Sequence, residues 1–207
     1  MSGPLRLPPR LRALCERIPA CEGLADIACD HALVSLSCLA IGRAQRAIAI
    51  DIAEGPLHAT RARLGESMPL GLTLRQGDGF ALQAGEAQVA VISGIGGAQM
   101  AALLRRDRPR ALGVEHLLLL PHNHAAELRH ALAETGWQVT AEWLVAERSR
   151  LYLGLAAVPG QMRKLEASEA DFGRLAEDAD PVLWQRWQAT ELARQARVAD
   201  ARRSAGR

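Results

Sequence analysis

The sequence predicts an α/β fold, a mostly parallel, doubly wound sheet followed by a small helical appendage. Three observations carry this. Short apolar, β-branched runs alternate with helical stretches between residues 23 and 135. Two strand-like runs then follow each other directly, Trp137–Ala146 and Arg150–Ala157, across the polar turn Glu147-Arg-Ser149, the pattern of a hairpin. After Pro159-Gly160 the composition shifts to mixed and acidic, then to helical sequence. The boundaries follow: a main domain at 1–158 and a small helical C-terminal domain at 159–207. A chain of 207 residues holds one α/β core with such an appendage, not two average domains.

Each element has its own pattern. Leu11–Arg17 is a short amphipathic helix after a Pro-rich entry, and Gly23-Leu-Ala-Asp26 is an apolar run ending in an acid. His31–Ile41 is dense enough in apolar residues for a helix, closed by Gly42. Arg46–Asp51 is a second strand ending in an acid, followed by a helix that Pro56 can start and that runs to Leu64. Leu72–Arg75 and Gln88–Ile92 are the next strands, the latter entering Ser93-Gly-Ile-Gly-Gly97 and a helix to Arg105. Glu115–Leu120 is a buried strand pattern, broken by Pro121-His-Asn123 before a helix to about Thr135. In the appendage, Pro181–Arg203 is helical, and Trp184 and Trp187, three apart, are expected to pack it rather than to stack on bases.

Composition narrows the function classes. Hydrophobic residues make up 49% and charged residues 23%, a soluble composition without a run approaching the roughly 18 apolar residues of a membrane span. The first ten residues lack the apolar core of a secretory signal, so a cytoplasmic protein is expected. Cys15, Cys21, Cys29 and Cys38 lack the paired spacing of a zinc site or a disulfide framework and read as reduced thiols. His122 and His124 have no accompanying acid or cysteine cluster, so no metal is expected. Net charge is only +2, but the basic residues are 24 Arg to one Lys, Lys164. Arg105-Arg-Asp-Arg-Pro-Arg110 is a local basic loop, and Arg194, Arg197, Arg202, Arg203 and Arg207 make the tail basic. Both are candidates to track phosphates, the alternative being a solvated face.

In open α/β sheets the ligand lies outside the carboxyl ends of the strands, where Asp26, Asp51 and Gly94-Ile-Gly-Gly97 all fall. Asp51 follows Asp26 by 25 residues, close to the offset of about 20 at which an acid takes adenosine ribose hydroxyls in Rossmann-like sheets. The plainer alternative for an acid ending a strand is that it caps the next helix. The glycines let backbone approach a ligand closely. The loop Asp26-Ile-Ala-Cys-Asp-His31 lacks the G-x-G-x-x-G cradle of a dinucleotide pyrophosphate. S-adenosylmethionine, which carries no phosphate, therefore fits better than NAD.

Motifs extend this reading. Ala25-Asp-Ile-Ala-Cys-Asp-His-Ala32 resembles A-D-I-G-S-D-H-A, and Leu120-Pro-His-Asn123 resembles L-Q-P-N. With Pro9-Arg10-Leu11, Ala49-Ile-Asp-Ile-Ala-Glu-Gly-Pro56, Gly77-Asp-Gly79, Gly94-Ile-Gly-Gly97 and Tyr152, the chain resembles the bacterial tRNA (adenine(22)-N(1))-methyltransferases, the TrmK family. Ala28 stands for a loop glycine, Leu33 for the family's usual Tyr and Ser35 for its usual Pro. The resemblance implies a Rossmann-like class I S-adenosylmethionine-dependent methyltransferase that acts on N1 of an adenine in the D-loop region of tRNA, with the helical C-terminal domain helping to hold RNA. Monomer or weak homodimer is the expected state.

The residues expected to hold the cofactor are Asp26, Ala28, Cys29, Asp51, Ile52, Gly94, Ile95 and Gly96, to which the resemblance adds Arg10, Gly77, Asp78 and Gly79. Adenine N1 carries its own lone pair, so positioning should dominate over proton removal. Asp30 and His31 are expected to orient the base or the methionine part of the cofactor, and Asn123 to hydrogen-bond a base edge. Asp30 as a cap of the following helix and Asn123 as a turn residue are the plainer alternatives. Two other functions remain open at this level. One is a methyltransferase of the same fold acting on a small molecule or protein; the other is a non-catalytic RNA- or nucleotide-binding relative.

Overall fold

The computed structural model describes residues 6–173 and 180–205, with the side chains at 198, 199, 201, 202, 204 and 205 outside the description. Arg202 as an RNA contact, Arg207 and the stretch 174–179 therefore lie outside the described residues. The elements are α1 (Pro9–Arg17), β1 (Cys21–Ile27), α2 (Leu33–Ala40), β2 (Ala44–Asp51), α3 (Glu54–Leu64), β3 (Leu72–Gln76), β4 (Val89–Ser93), α4 (Gly97–Asp107), β5 (His116–Leu120), α5 (Ala125–Glu134), β6 (Trp137–Glu147), β7 (Arg150–Pro159), α6 (Ala167–Phe172) and α7 (Pro181–Ala205).

The strands form one seven-stranded sheet in the order β3-β2-β1-β4-β5-β7-β6. The first five pair in parallel, and β7 runs antiparallel to both β5 and β6. Strand order reverses between β1 and β4, so a crevice opens above their carboxyl ends.

Both faces of the sheet are covered, which explains why the strands read as nearly continuous apolar runs. Along β4 and β5 the side chains alternate between two cores. Ala90, Ile92, Leu117 and Leu119 face one core, with Met100 and Leu104 of α4 and Leu128 of α5. Val89, Val91, Leu118 and Leu120 face the other, with Leu14 of α1 and Leu36 of α2. Trp184 and Trp187 of α7, expected to pack the appendage, are buried in the first core of the sheet itself. A buried ion pair between Arg129 of α5 and Glu142 of β6 (2.6 Å) continues into α6, where Arg129 Nη1 donates to the Ala170 carbonyl at 2.9 Å. The C-terminal segment is thus packed onto the sheet's own core.

Two boundaries differ from expectation for physical reasons. The second helix starts at Leu33 rather than His31 because Ala28, Asp30 and Ala32 all have positive φ and curl the chain into a tight loop. The third starts at Glu54, which puts Pro56 inside the first turn, where its missing N–H costs no helical bond. Among the described residues no helix is long and apolar enough to cross a membrane.

Candidate active site

The crevice at the strand ends encloses about 560 Å³, opening to solvent. Its floor is the loop between β1 and α2. Asp26 closes the strand at 1% exposure, and its Oδ2 accepts the Ser35 N–H (3.1 Å) and the Ser35 hydroxyl (3.0 Å). Ser35 lies in the first turn of α2, so Asp26, not Asp30, caps that helix. Asp26 Oδ1 is buried without a partner in the protein. Burial, only partly countered by the two Ser35 hydrogen bonds, pushes the Asp26 carboxyl up to about 7, and Asp51 adds to the rise. A buried acceptor facing a cleft with no protein donor is a seat for a cationic or N–H-bearing ligand group.

Asp51 ends β2 and ties the loops together: Oδ2 accepts the Asp30 N–H at 3.1 Å and Oδ1 the Ala53 N–H at 2.9 Å. A carboxylate has about four acceptor sites, so two remain for a ligand diol. Beside it, Ile52 holds an apolar side chain 67% exposed. Asp30 and His31 stand at the mouth, their side chains 73% and 54% exposed and 3.7 Å apart at Asp30 Oδ1 and His31 Nε2. Cys29 is buried in the lining, and desolvation pushes its thiol up, so it is a packing group rather than a nucleophile.

The glycines of the fourth strand end divide into two roles. Gly94 lines the crevice at φ +90°, a conformation that side-chain-bearing residues rarely adopt. Gly96 and Gly97 serve packing: a Cβ on Gly96 would sit 2.7 Å from Asn123 Oδ1, and one on Gly97 2.5 Å from the His124 carbonyl. The two loops are stitched by Gly97 N–H to Asn123 O (2.9 Å) and His122 N–H to Ile95 O (3.1 Å). Ile95 and Asn123 join the two loops through their backbone, and of these residues only His122 lines the crevice.

The far wall comes from the hairpin. Tyr152 of β7 lines the crevice, with the Arg10 guanidinium 5.2 Å from its ring centroid and the His122 ring edge-on at 6.3 Å and 66°. Arg10 also pairs with Glu147 at the end of β6, whose Oε2 accepts the Arg10 N–H at 3.1 Å. Burial, then the charges of Arg10 and Arg150, hold the His122 ring below its usual range.

Of the expected site residues, Arg10, Asp26, Ala28, Cys29, Asp30, His31 and Gly94 line one crevice. Asp51, Ile52, Gly77, Ile95, Gly96 and Asn123 are not among the lining residues; Asp51 is joined to the lining through the Asp30 N–H, and Gly77 donates to the Asp51 carbonyl at 2.9 Å. Asp78 and Gly79 are held elsewhere: Asp78 pairs with Arg106 of α4 at 2.6 Å, and a Cβ on Gly79 would strike Asp107 and Arg106. That turn fastens the β3–β4 connection to α4. The basic loop at Arg105–Arg110 also departs from expectation. It precedes β5 and contributes no residue to the crevice lining, and Arg105, Arg106 and Arg110 are engaged by Glu134, Asp78 and the Gly136 carbonyl.

Residues 7–155 match the model of a family described as a methyltransferase domain. The chain belongs to that family. A tRNA (adenine(22)-N(1))-methyltransferase of Bacillus subtilis (strain 168) is 32% identical over 158 residues, 75% of this chain and 66% of the relative. The chain spans less than two thirds of the length of the curated relatives it matches, 66% of this one and 61% of another from Mycoplasma pneumoniae. Streptococcus pneumoniae Sp1610 bound to S-adenosyl-L-methionine superposes with a TM-score of 0.78 at 28% identity, covering 87% of this chain and 86% of that one. The B. subtilis m1A22 tRNA methyltransferase TrmK superposes at 0.75 and 27%, covering 97% and 86%. The Rossmann-like methyltransferase sheet read from the sequence is thus the fold of the chain.

Proposed function

We propose that this methyltransferase uses S-adenosylmethionine to methylate N1 of an adenine in tRNA, at position 22 of the D-loop region. The observation that carries the reading is the crevice above the β1–β4 reversal, where Asp26 offers a buried, unpartnered oxygen and Asp51 stands at the next strand end. A cofactor with an ammonium group and a ribose diol matches this donor and acceptor set. Asp26 would hold the ammonium, Asp51 the diol, and exposed Ile52 would offer an apolar face to the adenine. The relatives named for tRNA adenine-22 methylation supply the substrate class.

When bound, S-adenosylmethionine supplies an electrophilic methyl group. The protein's task is to hold the target adenine N1 in line with it. No residue need act as a base on N1, whose lone pair is free, so Asp30 and His31 at the mouth serve as positioning groups. The Asp30 carboxylate accepts the adenine N6 hydrogen and stabilises the cation formed as N1 gains the methyl. The partner is tRNA, the compartment the cytoplasm, and the enzyme works as a monomer or weak homodimer.

The test is transfer of labelled methyl from S-adenosylmethionine to unmodified bulk tRNA, with the labelled nucleoside identified. N1-methyladenosine is expected. Label in a protein or small molecule, or binding without transfer, would support the two other functions instead.

A further inference from the structure

Arginines offered for RNA elsewhere in the chain are mostly engaged within it. Arg105, Arg106 and Arg110 hold carboxylates or carbonyls of residues that do not line the crevice. In α7, Arg194 pairs with Glu191 and Arg203 with Asp200.

The β6–β7 hairpin is different. Its tip, Arg148-Ser149-Arg150, lies at the crevice edge. β6 ends at Glu147, which holds crevice residue Arg10, and Tyr152, two residues into β7, lines the crevice itself. Arg148 and Arg150 are both exposed, and the Arg150 charge is felt at His122 inside the crevice. Arg148 also has φ +54°, the backbone sign that glycine ordinarily supplies in two-residue hairpin turns. An arginine held there trades local backbone ease for a long cationic side chain at the mouth. Behind the tip stands Tyr152, the chain's only tyrosine, its ring clamped by Arg10 and His122.

We propose that this hairpin is the RNA-docking arm: Arg148 and Arg150 contact phosphates flanking the target nucleotide, and Tyr152 stacks on the extruded base. The proposal rests on the tRNA reading above and names its docking surface. Arginine forks suit phosphates, and a rigid aromatic ring suits an unstacked base regardless of its edge pattern.

The experiment uses the full chain, with the same tRNA methylation assay run from low to moderate salt. Arg148→Gly combined with Arg150→Ser keeps the fold, because glycine suits φ +54° and both positions are exposed. This double variant should raise KM for tRNA by about tenfold or more and flatten the slope of log affinity against log salt by about 2, leaving S-adenosylmethionine affinity unchanged. Arg148→Lys with Arg150→Lys should regain most of both. Tyr152→Leu should lower kcat/KM for tRNA by about tenfold at unchanged cofactor affinity, and Tyr152→Phe should regain it. Wild-type turnover together with an unchanged KM and salt slope in the double variant would overturn the docking arm while leaving the function intact. A wild-type chain that methylates no tRNA overturns the function itself.

Discussion

Asp26 divides its carboxylate between two tasks: one oxygen starts α2 through Ser35 and the other faces the crevice. Its carboxyl is raised from 3.8 to about 7, so between those pH values the folded chain binds a proton that the unfolded chain has lost. Stability therefore falls as pH rises from about 4 to about 7 and levels off above, a swing of about 4 kcal/mol at most for the free protein. A cationic ligand prefers the ionised form, so S-adenosylmethionine should bind more weakly as pH drops below 7. Calorimetry from pH 8 to pH 6 checks this, and Asp26→Asn should both weaken binding and flatten the pH dependence. Equal slopes in the two proteins would remove Asp26 from the cofactor site. Asp30, exposed at the mouth, should behave differently. Asp30→Ala should cut kcat by about 10- to 100-fold, the value of one charge-assisted hydrogen bond, with cofactor affinity held. Unchanged turnover would make it a spectator.

Among the elements, the paired loops after β4 and β5 act as one unit. Gly97→Ala drives a Cβ against the backbone carbonyls of His124 and Asn123 and should cost about 1–3 kcal/mol, seen as a lower Tm in the absence of any ligand. The C-terminal helices invite a sharper test. The sequence suggests that removing residues 161–207 would abolish tRNA binding and spare the cofactor site. Trp184 and Trp187, however, complete the main core, and α6 supplies a carbonyl to buried Arg129. Truncation should therefore lower thermal stability substantially, since losing one buried tryptophan alone costs about 3–5 kcal/mol. A truncated chain melting at the full-length temperature would show that the segment is a separate attachment.

Across the whole molecule, legibility followed the range of the interactions. All seven strands could be read because burial on both faces leaves apolar runs, and the acids at strand ends stood out within them. The curled start of α2 was hidden because Ala28, Asp30 and Ala32 adopt positive φ without a glycine to mark it. The pairing of Asp78 with Arg106 could not be read locally because the two are 28 positions apart. Tyr152 and His122 could not be joined from local pattern, since only the antiparallel insertion of β7 beside β5 brings the hairpin to the crevice. Nor does a charge count foretell that Arg105, Arg106 and Arg110 are engaged by Glu134, Asp78 and the Gly136 carbonyl. One measurement bears most directly on the whole reading: single-turnover methyl transfer from labelled S-adenosylmethionine to two tRNA transcripts that differ only at nucleotide 22, adenosine or guanosine. Label recovered as N1-methyladenosine from the adenosine transcript alone is the expected result. Equal labelling of both transcripts, or of neither, would contradict it.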